Sequence, residues 1–146
     1  MPDDIGTGAT CARTLVVDRA RTIDFLGEDL RIYATPELVR DIEQVCLDFL
    51  QERLPSGQSS VGTSVSIEHA GATPLGGTVT IEAEVTEVDG RSVTFRVSAR
   101  DAVETVCTGV HRRFVVDIDR LKSRVRKKVA ASPANASATP ASPVPG

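Results

Sequence analysis

The chain has no tryptophan, one tyrosine, four phenylalanines and one methionine in 146 residues, so aromatic packing supplies little of its core. Val, Ile, Leu and Ala must provide most of the buried apolar area, and a chain this small buries a smaller fraction of its surface than a large domain does. Association with a second copy would help. Cysteine is scarce too: Cys11, Cys46 and Cys107 are odd in number and widely spaced, matching neither a disulfide framework nor a zinc pattern. They read as buried or incidental thiols in a reducing compartment, and no metal site is expected. No apolar run approaches the ~20 residues needed to span a bilayer. The N-terminal MPDDIGTGATCARTLVV also lacks the apolar run of roughly 7 to 15 residues of a secretory signal. A cytoplasmic location with no membrane partner is the expectation. A net charge of -3 with both signs mixed gives no field that implies nucleic acid.

What is present fits one soluble domain: 40% apolar and 25% charged residues. Arg13 to Val17 reads as a first strand, and Thr22 to Tyr33, which has no clean period, as an irregular covering loop that acts as a lid. Thr35 to Leu54 is a strong helix, with Thr35 as N-cap, Pro36 at the first helical position, and Pro55 and Gly57 closing it. Leu38, Ile42, Val45 and Phe49 form an apolar stripe that Val39, Cys46, Leu47 and Leu50 widen to nearly half the circumference. This helix should be central.

Period-2 alternation follows. Val61, Thr63, Val65, Ile67 and His69 share one strand face, and Val79 to Val85 alternates into an Asp89-Gly90 hairpin turn leading to Val93, Phe95, Val97 and Ala99. A last strand, about Thr105 to Val116, is expected to place Val106, Val110, Phe114 and Val116 on one face. Asp117 to Lys128 reads as a solvated basic helix, with nothing aromatic interleaved for base stacking. The predicted domain spans residues 1–129, and residues 130–146, of Ala, Ser, Pro, Thr, Asn, Val and Gly, form an expected disordered tail. This order predicts an α+β fold, an antiparallel sheet packed against a single helix.

Three residues stand where side chains should face an apolar interior. Glu43 lies on the flank of the helix stripe, whereas Asp41, Asp48 and Glu52 lie on its polar side. Glu43 is either a boundary residue snorkelling to water or a catalytic carboxylate. His69 ends a strand face and is either a satisfied core histidine or an acid or base titrating near neutrality. His111, out of phase with Val110 and Phe114, ranks second. Thr35 is explained by capping alone, yet a cap hydroxyl beside the free N–H groups of a first turn is also a place to hold an oxyanion. Gly62-Thr63 would let a ligand approach the backbone closely.

The segments TPELVRDIEQVC, SVGTSVSIEHAGATPLGGTVTIEAEV, VDGRSVTFRVSARD and GVHRRFVV closely resemble the fluoroacetyl-CoA thioesterase-like group of hot-dog-fold thioesterases, over roughly residues 13 to 128. The resemblance implies a hot-dog fold, an antiparallel sheet wrapped around one long helix. It implies Thr35, Glu43 and His69 as the catalytic set, with both sequence intervals matching. It further implies Gly62 near the acyl group, Arg113 in substrate binding, and a homodimer with sites at the interface. The substrate is then an acyl-CoA, coenzyme A entering as part of it, with no other cofactor. The family's fluoroacetyl-specific member has a phenylalanine-rich lid, where this chain has DFLGEDLRIY, Asp24 to Tyr33, so a different short or medium acyl group is expected. In the implied reaction Glu43 either attacks the thioester carbonyl or activates water, and His69 orients the attack or protonates the leaving thiolate. A non-catalytic acyl-CoA binder, a hot-dog dehydratase and a structural dimer are the alternatives.

Overall fold

The computed structural model describes residues 1–133. Strand β1 (Thr10–Val16) is followed by an irregular strap, helix α1 (Thr35–Gln51), and strands β2 (Gln58–His69), β3 (Thr78–Asp89), β4 (Ser92–Arg100) and β5 (Thr105–Asp117). Helix α2 (Ile118–Ala131) closes the described chain. The five strands form one antiparallel sheet in the order β1-β3-β4-β5-β2, with α1 on its inner face. This is the expected hot-dog arrangement. The strap covers residues 17–33 and holds two short 3-10 turns, Arg19–Arg21 and Glu28–Leu30; its stretch from Thr22 to Tyr33 has only the second of these and two isolated bridges, Thr22 to Tyr33 and Ile32 to Pro74, as its lack of period predicts.

Alternation decides the core. Val79, Ile81, Ala83 and Val85 of β3 and Val93, Phe95, Val97 and Ala99 of β4 are all buried, and they meet Leu38, Ile42, Val45, Cys46, Phe49 and Leu50 of α1. The Phe49 and Phe95 rings stack edge to face at 5.8 Å, which joins helix to sheet and adds to the area term. The β3–β4 hairpin turns one residue later than expected: Asp89 pairs with Ser92, leaving Gly90 and Arg91 as the loop. Gly90 has φ +58°, a left-handed conformation that costs glycine nothing.

Two predicted faces are wrong, for one physical reason each. In β2 the pairing with β5 shifts between Gly62 and Ser64, so Thr63 is an extra residue and the alternation inverts there. Val61 pairs with the outward Phe114, while Val65, Ile67 and His69 pair with inward residues of β5. In β5 the inner face is Cys107, Gly109, His111, Arg113 and Val115, and Val110 and Phe114 are exposed. Apolar character misled here because the buried face carries a histidine and an arginine. β1 starts at Thr10 rather than Arg13, and α1 ends at Gln51 rather than Leu54. α2 runs to Ala131, past the expected boundary at Val129, and shows no buried residue; residues 134–146 of the expected tail lie outside the described residues.

A Cβ at Gly109 would lie 2.3 Å from the Ser66 carbonyl oxygen and 2.7 Å from Ile67 Cγ2, so β5 tolerates only glycine against β2 there. Gly109→Ala should cost about 1–3 kcal/mol, read as a lowered urea midpoint. An unchanged midpoint would mean that the two backbones do not approach this closely.

Candidate functional site

Helix α1 begins at Thr35, preceded by Ala34 in extended conformation with no side-chain cap. Thr35 is therefore the first helical residue and Pro36 the second, and the capping role expected for the Thr35 hydroxyl is not observed. The hydroxyl instead bonds His69 Nδ1 at 2.8 Å, which brings two of the three expected residues together. This is possible because β2, after its bulge, presents His69 inward at its end, level with the helix start. Thr35 is exposed and His69 half-buried, so the pair sits at the rim of the core rather than inside it. His69 Nε2 is buried and bonds nothing among the described residues. Burial pulls the His69 pKa below its ordinary 6.5, and the Gly71 backbone opposes that pull.

Glu43 belongs to a different cluster. Two helical turns and about 12 Å along α1 from Thr35, its Oε2 lies 3.8 Å from Arg113 Nη1, and its side chain is 43% exposed. A Cβ on Gly62 would fall 3.2 Å from that same Oε2 and 3.4 Å from Arg113 Nη1, so the absence of a side chain at Gly62 admits the carboxylate. Arg113 is buried. Its Nε donates to Ser60 Oγ at 2.8 Å and its Nη2 to the Ser60 carbonyl at 2.9 Å, as a buried guanidinium requires. Arg113 Nη1 also reaches His111 Nε2 at 3.2 Å, while His111 Nδ1 donates to the Ser64 carbonyl at 2.9 Å. Those two partners define a neutral histidine, Nδ1 protonated and Nε2 accepting. Burial lowers the His111 pKa; the Ser64 carbonyl raises it, Arg113 lowers it further and Glu43 raises it.

Pro36, Val39, Arg40, Glu43, Gln44, Leu47 and Arg113 line an open cavity of about 280 Å³ along the outer flank of α1. Edge strand β2 runs beside this flank, with no further strand among the described residues on its free side. Arg113, expected to bind substrate, thus has its guanidinium held by Ser60 and His111 at the wall of this cavity. Thr63, also expected there, is the exposed bulge residue, and its hydroxyl donates to the Arg112 carbonyl at 3.2 Å. The described residues hold no group of His, Cys, Asp and Glu suited to a metal. Nor does any described helix have the length and apolar character to cross a membrane.

Sequence reasoning missed Asp41. Its position on the polar side of α1 suggested solvent, yet its carboxylate accepts from Arg21 Nε at 2.8 Å and from the Tyr33 hydroxyl. Only the strap that folds over that side supplies these partners. It also missed Ser60, which a small polar residue at a strand start does not advertise. The apolar side chains Phe25, Leu26 and Leu30 of the expected lid are exposed, Phe25 by 74%. The strap beneath them is laced by Arg19 to Glu28, at 2.9 and 2.7 Å, and by Arg31 to Glu28 at 3.2 Å.

Residues 17–119 match the model of the fluoroacetyl-CoA-specific thioesterase family. The fluoroacetyl-CoA thioesterase of Streptantibioticus cattleyicolor is 33% identical over 138 residues, covering 90% of this chain and 99% of that one. A solved structure of the fluoroacetyl-CoA thioesterase FlK, a variant in complex with acetyl-CoA, is 30% identical with a TM-score of 0.76, over 84% of this chain and 98% of the other. A hot-dog-like protein from Thermanaerovibrio acidaminovorans is 26% identical with a TM-score of 0.79, over 85% and 93% of the two chains.

Both histidines have pKa values depressed below 6.5 in the folded chain. The unfolded chain binds more protons between those depressed values and 6.5, so stability is fully present above that window and falls as pH drops through it. The depressed carboxylates Asp48, Asp101 and Asp117, with an ordinary value of 3.8, act lower. The urea midpoint should therefore hold from about pH 8 to 7 and decline from about pH 6.5 to 5. A midpoint level down to about pH 5 would rule out neutral, buried histidines.

Proposed function

The chain belongs to the fluoroacetyl-CoA-specific thioesterase family, and on that premise we propose that it hydrolyses an acyl-CoA through Thr35, Glu43 and His69, as a homodimer in the cytoplasm. Thioester hydrolysis is the activity of the family. What carries the assignment of residues is the bond of Thr35 Oγ1 to His69 Nδ1 at 2.8 Å beside a buried His69 Nε2 that has no partner among the described residues. With Nδ1 accepting from the hydroxyl, a neutral His69 carries its proton on Nε2, ready for a leaving thiolate or an oxyanion. The depressed pKa keeps that ring neutral at pH 7. Glu43 delivers the attack on the carbonyl, directly or through a water, from an open cavity wall where Arg113 orients its carboxylate.

Glu43 and His69 belong to separate clusters of one chain. A second copy laid against the free edge of β2 and the flank of α1 would bring the Glu43 of one subunit toward the partner subunit's His69. Val39 and Leu47 give that flank its apolar surface. The strap departs from a phenylalanine-rich lid: it carries one phenylalanine, Phe25, with Leu26 and Leu30. That composition favours a short or medium acyl group other than fluoroacetyl. Gly62 leaves the space for the Glu43 carboxylate.

Thiol release from a panel of acyl-CoAs, acetyl to palmitoyl and aromatic, should rank the substrates by chain length. Glu43→Gln should lower kcat by about 10²-fold or more if its carboxylate works as a base. Gly62→Ala should lower kcat by displacing that carboxylate while leaving the urea midpoint nearly unchanged. A folded, dimeric protein that binds acyl-CoA and releases no thiol from any member of the panel would instead be a ligand-binding hot-dog protein.

A further inference from the structure

Tyr33, the single tyrosine of the chain, ends the strap and is 1% exposed. Its backbone N–H donates to the Thr73 carbonyl at 2.8 Å, and its hydroxyl donates to Asp41 on α1. Asp41 is gripped by Arg21 through Nε at 2.8 Å and Nη2 at 3.1 Å, and Arg21 Nη1 bonds Asp18 at 2.8 Å. Burying a hydroxyl and a carboxylate costs stability unless both are satisfied, and here both are. A phenylalanine would fill the same space with no such requirement. The polar chain adds direction, because it fixes the ring at the backbone end and at the hydroxyl end.

The Tyr33 ring meets His69 edge-on, with centroids 6.2 Å apart and planes at 78°. Among the described residues His69 bonds Thr35 through Nδ1 and has no hydrogen-bond partner at Nε2. The ring is attached through Cγ and bonded through Nδ1, and the Tyr33 edge packed against it limits the rotation about Cβ–Cγ that would move Nε2.

We propose that Tyr33 is a positioning residue for His69, anchored by Asp41 and Arg21, so that the strap is part of the catalytic apparatus as well as its cover. This rests on the role given to His69 above. Asp41 lies six residues beyond Thr35 on the same helix, so α1 supports both contacts of the His69 ring: Thr35 directly, and Tyr33 through Asp41.

The test compares the full chain with Tyr33→Phe, which keeps the ring and removes the hydroxyl while Asp41 keeps Arg21. Expected is a fall in kcat of about tenfold with KM within about twofold, the pattern of a lost alignment rather than lost binding. With two histidines in the chain, ring NMR signals report each one: those of His69 should shift or double in the variant, and those of His111 should stay put. Arg21→Gln, a change at the outer end of the anchor, should give the same pattern more weakly, and stands in if the first variant folds poorly. A wild-type kcat, or a lower kcat with unchanged His69 signals, overturns the proposal. If the wild type hydrolyses no thioester, the functional reading fails, and the His69 signals in Tyr33→Phe still decide whether Tyr33 positions the ring.

Discussion

Leu38, Ile42, Val45, Cys46, Phe49 and Leu50 leave water together when α1 lies against the inner faces of β3 and β4. At ~1.5–3 kcal/mol for each large side chain, no other part of this aromatic-poor chain offers a comparable gain. The same packing fixes α1 in rotation and in height against the sheet, and the chemistry inherits both. Thr35 at the first helical residue and Glu43 two turns on are held to a rigid element, opposite the two ends of one strand, β2. Had α1 been a surface helix, neither group would have a defined partner.

Polar groups drawn into that packing account for the rest of the site. Arg113 and His111 lie on a buried strand face where hydrocarbon would pack more simply; Ser60, the Ser64 carbonyl and their bond to each other satisfy most of their hydrogen-bonding capacity, and Glu43 adds an ion pair to Arg113. On the opposite flank Tyr33, Asp41 and Arg21 repeat the pattern and tie the strap to the helix. A buried polar chain of this kind contributes less to stability than to the uniqueness of the arrangement it enforces. One such network orients Glu43, and the other stands against His69.

The legible parts of the fold were those with one dominant period. The stripe Leu38, Ile42, Val45 and Phe49 of α1 and the alternation of β3 and β4 appear in the structure as read, because each face is purely apolar and nothing competes with burial, whereas Val39 and Leu47, expected to widen the stripe, line the open cavity instead. β2 and β5 were misread at identifiable residues. The bulge at Thr63 inverts the alternation within a run of small residues, where register has little side-chain volume to declare it. Val110 and Phe114 looked like core because they are apolar, yet their face is the outer one, and the inner face went to His111 and Arg113. Asp41 seemed solvated because its partners, Arg21 and Tyr33, come from a strap with no periodicity to place it.

The sequence by itself determined the number and kind of elements and the central helix, since local pattern is a property of the chain alone, while Thr35, Glu43 and His69 came as a set from the family resemblance. Which of them meet was decided by tertiary structure. Thr35 joined His69 because the β2 bulge turned the histidine inward, and Glu43 joined Arg113 because Gly62 left room for its carboxylate. Both contacts depend on the register between β2, β5 and α1. That register comes from packing over long sequence separations, which no local pattern encodes.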